Sequence, residues 1–332
     1  MAEVNIYHMS SRRPQAIEIL VYFLKKVKNK DKFKFFFLCD YDINTKEHDK
    51  KYDDYAAILS RAGVNVEVRP DFGPHRNYMS KIEFALAQDA PYSIKLDEDC
   101  FMSENVIDFM IENREMLNNP RNYLMTPVLS NGIPTCDYFL QDFLAPHEID
   151  EIGRYFLPTS FTNMWGVDYR FLNKHTVNAK HWDFESFYNS VSTIGPAHGN
   201  NHFFKGIHPV RVNYQANRRI NDFIVGKWDK FCTPPKSSMH IMHSQKPYFC
   251  NSVFMMKTSV WRDINSRKDL FRDDYDEVPL NLYRQEKRYD WLFIRNGYAL
   301  HTIYNTVQRY DYENEIIAYI TNLVRGREES GI

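Results

Sequence analysis

The chain of 332 residues contains no Cys-x-x-Cys pair, and its five cysteines, Cys39, Cys100, Cys136, Cys232 and Cys250, are odd in number. This argues against a disulfide framework and against a structural zinc site; free thiols in a reducing compartment are the expectation. Long apolar runs are missing as well. Segments such as Ile17 to Leu24 fall far short of a bilayer span. The opening Met-Ala-Glu-Val-Asn has neither the basic start nor the apolar stretch of a signal peptide. The expectation is a protein with no transmembrane segment, in the cytoplasm, or in the host cytoplasm if it is viral. Charge of one sign is also lacking: the net charge of −1 gives no global field toward nucleic acid or an anionic membrane. There are no repeats, low-complexity tracts or Gly/Ser linkers.

What is present is an alternation of strand and helix signals over the first third. Val4 to Tyr7, Phe33 to Cys39, Val64 to Val68, Tyr92 to Leu96 and Tyr123 to Leu129 read as strands. Phe33 to Cys39 is apolar enough to be buried on both faces. Between the strands lie helical stripes. One is Ile17, Leu20, Val21, Leu24 and Val27, with Ser10 or Ser11 as cap and Pro14 in the first turn. Another is Tyr52, Tyr55, Ala56 and Leu59, with Gly63 at its stop. Met79, Ile82 and Leu86 mark a third, and Val106, Met110 and Leu117 a fourth, capped by Ser103. Such alternation predicts an α/β fold with a mostly parallel sheet flanked by helices. From about Gly132 to residue 245 the rhythm gives way to an irregular region rich in Phe, Tyr, Trp, Asn and His. Regularity returns with a strand at Phe249 to Lys257, a short helix at Ser259 to Ile264, a helix from Pro279 to Lys287 and a strand at Tyr298 to Ile303. A terminal helix follows over 313–325, and the last residues, Arg325 to Ile332, read as a frayed tail.

In parallel sheets ligands bind beyond the carboxyl ends of the strands. The polar residues after each strand are therefore the candidates: His8 to Arg13, Asp40 to Asp42, Arg69 to Arg76, and Asp97-Glu98-Asp99. The last group is the strongest signal. Clustered carboxylates at the end of a buried strand are costly unless a cation or hydrogen bonds offset them. Oxygen ligands suit Mg²⁺ or Mn²⁺, which take one or two carboxylates plus substrate phosphates. Acidic-x-acidic triplets also occur at Asp40-Tyr41-Asp42 and Asp274-Tyr275-Asp276, so position after the fourth strand is what singles this one out.

The segment from Arg76-Asn77-Tyr78-Met79-Ser80-Lys81 through Leu86-Ala87, followed by Tyr92 to Phe101, resembles the inverting glycosyltransferases of the family-2 type, which have the single-Rossmann-like GT-A fold. The resemblance is one of pattern and covers residues 4 to 130 and 249 to 305. It implies residues 1–131 as a nucleotide-sugar-binding half, 132–312 as an acceptor-binding and catalytic half of the same domain, and 313–332 as a C-terminal helix and tail. It implies Mn²⁺ or Mg²⁺ as cofactor, a nucleoside-diphosphate sugar as donor, and an acceptor hydroxyl on a glycan or, as in some bacteriophage enzymes, on a modified base in DNA. Carried over, Asp97 contacts the ribose, Asp99 binds the metal with Asp97 alongside, and Glu98 sits between them. His8, Ser10, Arg12, Asp40, Asp42, Arg76 and Lys81 line the nucleotide-sugar pocket.

In the C-terminal half, Asn251 to Trp261 precedes an acidic run, Asp273 to Glu277, that opens a helix. This resembles the family's acceptor side, where an acidic residue at a helix start is the general base; Asp276 and Glu277 are both candidates. The plain alternative is a first turn that complements the helix dipole. His301 resembles the C-terminal histidine that returns to the metal or diphosphate, against the alternative of a structural histidine. His240 and His243 lack the His-Glu-x-x-His pattern of a zinc site. Arg211, Arg218 and Arg219 are candidates for a phosphate clamp or a solvated loop. Rival functions are a nucleotidyltransferase, which usually has a glycine-rich loop where His8 to Pro14 has no glycine, and a non-catalytic carbohydrate-binding protein.

Overall fold

The computed structural model describes residues 2–10, 13–42, 44–73, 78–130, 135–156, 214–243, 250–267, 277–302 and 309–331. The first half alternates β1 (Val4–Ser10), α1 (Ile17–Lys26), β2 (Phe33–Cys39), α2 (Lys51–Arg61), β3 (Asn65–Arg69), α3 (Tyr78–Ala87), β4 (Tyr92–Asp97), β5 (Cys100–Met102), α4 (Val106–Glu112) and β6 (Asn122–Leu129). Then follow α5 (Thr135–Phe143), α6 (Pro146–Phe156), α7 (Tyr214–Gly226), α8 (Trp228–Cys232), β7 (Ser238–Met242), β8 (Val253–Lys257), α9 (Thr258–Ser266), α10 (Glu277–Lys287), β9 (Asp290–His301) and α11 (Arg309–Glu329).

The strands form one sheet in the order β3-β2-β1-β4-β8-β6-β9-β5, with β7 also on β9. Pairings among β1 to β4, and between β6 and β9, are parallel. β8 runs against both β4 and β6, and β5 and β7 run against β9. The expected mostly parallel sheet flanked by helices is therefore present, with antiparallel strands among the later elements.

Period-two alternation sorts the central strands between two faces. Val4, Ile6, Phe33, Phe35 and Phe37 share a core with the apolar stripes of α1, α2 and α4. Tyr7, Met9, Phe36 and Leu38 join the opposite core, with Ile82 of α3, Phe139 of α5 and Trp261 of α9. Strands buried on both faces need continuous apolar sequence, which is why β2 is so plain in the sequence.

Only Glu98 and Asp99 separate β4 from β5, yet β8, β6 and β9 lie between those two strands in the sheet order. In a flat sheet the two would stand about 19 Å apart, at about 4.8 Å per strand. Three consecutive Cα steps reach at most about 11 Å. The sheet has to curl until β5 meets the end of β4, and the acidic turn is the clasp of that curl.

Several elements differ from the sequence expectation. Ser10 ends β1 rather than capping a helix, and Pro14 opens a 3-10 turn, Pro14–Ala16, that leads into α1. Ser103 does not cap α4; its hydroxyl accepts the N–H of Tyr298 at 3.0 Å and tethers β9. The fourth helix ends at Glu112 and continues as a 3-10 turn, Arg114–Asn118. The last strand begins at Asp290, well before Tyr298. Its pairing with β6 slips where Pro127 opposes Ile294 and Val128 opposes Tyr298, and Asn296 there has φ 55. This bulge re-aims the second half of β9 toward β5. Gly63 does stop the second helix as expected, at φ 87. Arg325 to Glu329 are not a frayed tail. The helix continues to Glu329 because they find partners on α1: Arg325 Nε is 2.5 Å from Glu18, Arg327 donates to the Tyr22 hydroxyl at 2.8 Å, and Glu328 pairs with Lys25.

The bulge leaves no room for a side chain at Gly297, where an added Cβ would lie 2.5 Å from Ile294 Cγ2. Gly297→Ala is expected to destabilise the protein by about 1–3 kcal/mol, read as a lower urea midpoint with an unchanged slope.

Candidate functional site

The acidic turn carries three carboxylates with different surroundings. Asp97, the last residue of β4, points its carboxylate at Lys95 Nζ, 2.8 Å away, and Lys95 also donates to the Asn251 carbonyl at 3.0 Å. Asp97 N–H donates to the Ser252 carbonyl at 2.9 Å. Glu98 turns inward. Its carboxylate accepts from the Arg13 side chain at 2.9 Å and from the Arg13 backbone N–H at 3.2 Å. Asp99 stands beside β9: its carbonyl accepts the Thr302 N–H at 2.9 Å, and its Oδ1 lies 3.6 Å from His301 Nε2. Both of those side chains are nearly buried, at 4% and 3% exposure, and their separation exceeds a hydrogen bond. His301 is fixed by its backbone N–H, which donates to Ser130 Oγ at 3.2 Å. Neighbouring Cys100 is an inert thiol, since burial first, and then the Asp99 and Asp97 charges, push its pKa well up.

Arg13 entered the sequence reading only as the end of the candidate loop His8 to Arg13 and was given no role of its own. Arg12 was the candidate, and Arg12 lies outside the described residues, as do Arg76, Asp276 and Arg211. Arg13 Nε is 2.5 Å from Glu313 Oε1 on α11, and its Nη2 donates to Glu313 Oε2 at 3.2 Å. Burial alone would lower the Arg13 pKa, but Asp99, Glu313 and Glu98 together raise it above the usual arginine value. The only signal in the sequence was its place in the loop after the first strand.

The other pocket candidates divide between interior and surface. Lys81 is buried and links the ends of two strands, with Nζ 2.7 Å from Asp40 Oδ1 and 2.7 Å from the Ser10 carbonyl. His8 sits edge-on to Phe37 with Nδ1 2.6 Å from Ser10 Oγ. Asp42 is exposed, and its Oδ1 accepts the N–H groups of Asn44 at 2.8 Å and Thr45 at 3.1 Å. Glu277 opens α10 and accepts the Asn251 N–H at 3.3 Å. It thus reaches the same Asn251-Ser252 turn that holds Lys95 and Asp97. His240 Nε2 contacts the Tyr138 hydroxyl at 3.3 Å while His243 Nδ1 contacts Asp290 at 3.1 Å, so the two histidines address different partners. Arg219 pairs with Glu151 and Arg218 with Glu315 on the surface.

No family model and no curated protein matches this sequence. Among solved structures, the chain is similar to the glycosyltransferase GlyE of Streptococcus pneumoniae TIGR4, at 14% identity over 38% of this chain and 29% of that one, with a TM-score of 0.27. It is likewise similar to S. aureus TarS 1-349, solved in complex with UDP-GlcNAc, at 12% identity over 39% of this chain and 34% of that one, again with a TM-score of 0.27. The match thus spans about a third of each of those proteins. At that level it carries no weight for function, which has to be read from the site's own chemistry.

Among the described residues no three His, Cys, Asp or Glu side chains converge as a complete metal cage. Asp99 and His301 do converge, from the acidic turn and from β9. A carboxylate and an imidazole fit an ion that takes its remaining ligands from water and substrate phosphates. All five cysteines are buried free thiols, and no described helix is long and apolar enough to cross a membrane.

Two outcomes follow from these partners. Arg13→Met would leave Glu98 and Glu313 buried without their guanidinium, and is expected to cost about 3–5 kcal/mol in chemical denaturation. His8 titrates at about 4 in the fold, lowered from 6.5 chiefly by burial. The unfolded chain therefore binds a proton that the folded chain refuses between about pH 6.5 and 4. Stability is lost as the pH falls through that window, at up to about 1.4 kcal/mol per pH unit. In His8→Gln the decline between pH 6.5 and 4 should be shallower; an identical slope would show that His8 is not the group responsible.

Proposed function

We propose that this protein is a metal-dependent glycosyltransferase that moves a sugar from a nucleoside-diphosphate sugar to an acceptor hydroxyl with inversion. The observation that carries this reading is the approach of buried Asp99 and His301 to 3.6 Å at the carboxyl end of β4, beside the turn that Glu277 reaches.

Asp99 and His301 would hold Mn²⁺ or Mg²⁺, with Asp97 at the rim. Bound there, the divalent ion supplies charge neutralisation to the departing diphosphate. The protein supplies the rest. Asp97 is steadied by Lys95 and the Ser252 carbonyl, so its carboxylate is available to the donor's ribose at a fixed place. The Lys81–Asp40 pair sets the spacing of the β1 and β2 ends and so shapes the floor of the nucleotide pocket. His8 and Ser10 belong to that floor, and Asp42 to the loop at its edge. Glu277, or its neighbour Asp276, takes the proton from the attacking acceptor hydroxyl. Inversion rests on the family-2 resemblance, in which attack comes from the face opposite the leaving group. Arg12 and Arg76, which lie outside the described residues, are assigned to the donor by the family resemblance alone, and the acceptor in this reading is a glycan or a modified base in DNA.

A thermal-shift panel of nucleoside diphosphates and nucleotide sugars, with and without Mn²⁺, tests the reading. A cognate ligand at a hundredfold excess over Kd stabilises by about 2.7 kcal/mol, and the shift is expected to require Mn²⁺. Asp99→Ala should abolish that shift and turnover together while the apo protein stays folded. Retained turnover in a folded Asp99→Ala protein would remove the metal assignment, and release of pyrophosphate instead of a nucleoside diphosphate would favour nucleotidyl transfer.

A further inference from the structure

Arg13 lies among three carboxylates from the acidic turn and the C-terminal helix, and it approaches them unequally. Glu313 receives a two-pronged contact, with Nε at 2.5 Å and Nη2 at 3.2 Å. Glu98 receives Nη1 at 2.9 Å. The same Nη1 stops 3.8 Å short of Asp99 Oδ2. A two-pronged arginine–carboxylate contact fixes the plane of the guanidinium as well as its position. Glu313 also contacts the residue after the other candidate ligand, because its Oε1 accepts the Thr302 hydroxyl at 3.2 Å, and Thr302 follows His301 at the end of β9.

We propose that Glu313 is a positioning residue for the cation site: from α11 it holds the Arg13 guanidinium back on Glu98, so that Arg13 does not close onto Asp99 and compete with the cation. The proposal rests on the reading of Asp99 as a cation ligand. Without the charge at residue 313, the guanidinium is free to shorten its 3.8 Å approach to Asp99 toward ordinary ion-pair length. At the effective dielectric of a protein site this added attraction corresponds to about a tenfold loss of cation affinity.

The experiment is Mn²⁺ binding to the full chain, followed by the electron paramagnetic resonance signal of free Mn²⁺, with circular dichroism to establish that each variant is folded. Glu313→Gln keeps size and hydrogen bonding and removes the charge; its Mn²⁺ Kd is expected to rise about tenfold. Glu313→Asp keeps the charge on a shorter stem and is expected to lose roughly two- to threefold, by the same electrostatic reasoning. A purely structural role for Glu313 would lower the melting temperature without moving the Kd of the folded protein. Wild-type affinity in either folded variant therefore overturns the proposal, and Glu313→Asp decides alone if Glu313→Gln does not fold. Absence of Mn²⁺ binding in the wild type would instead overturn the reading of Asp99.

Discussion

A guanidinium buried between carboxylates ties the two ends of this chain to its middle. Arg13 meets Glu98, 85 residues on, and Glu313, 300 residues on. Neither carboxylate can lie in a dry interior uncompensated, and neither can the arginine. Each is therefore held where the others are. That constraint falls on the turn between β4 and β5, which closes the curl of the sheet. The same contact sets the entry of α1, since Arg13 immediately precedes the 3-10 turn that leads into it, and the seat of α11 along α1.

The polar residues at the strand ends fall into two groups. Lys81, Asp40, Glu98, Arg13 and Glu313 pair with one another in the interior. Asp97, Asp99 and His301 are each held through a backbone hydrogen bond, to Ser252, Thr302 and Ser130 respectively. Groups that must hold a charged ligand in a fixed geometry need partners that stop them rotating. The Arg13–Glu98–Glu313 and Lys81–Asp40 pairs fix the backbone from which Asp97, Asp99 and His301 project.

Much of the first half was legible because its strands are continuous apolar runs and its helices carry clear stripes. The parts that were not share a cause, which is that they depend on distant contacts. β5 is only Cys100–Met102, too short for a pattern, and exists because β9 pairs with it. The first half of β9 is set apart from the second by the bulge at Arg295-Asn296-Gly297, which breaks the strand's pattern. The helical end of α11 looks like a charged tail until Glu18, Tyr22 and Lys25 are placed beside it. In the site, Asp97 and Asp99 were legible as candidates because a strand end followed by carboxylates is a local pattern, whereas His301 came only from the family resemblance. Glu98 could not be told from its neighbours, since which member of a three-carboxylate turn faces inward is decided by Arg13. Glu313 carried no local signal at all.

The antiparallel β8 explains how the two halves of the chain share one end of the sheet. Parallel strands joined by crossovers all deliver their carboxyl ends to the same side. A strand inserted the other way delivers its amino end there. Leu96, at the end of β4, is opposite Val253, at the start of β8. The turn before β8 must therefore lie over the acidic turn, and its Ser252 carbonyl does accept the Asp97 N–H. Glu277 then reaches Asn251 in that same turn from the start of α10. A parallel β8 would have placed Asn251 and Ser252 at the far end of the sheet and separated the C-terminal acid from the acidic turn by the length of a strand. Reversal of this one strand is what brings Glu277 of the second half to the turn that lies over the end of β4.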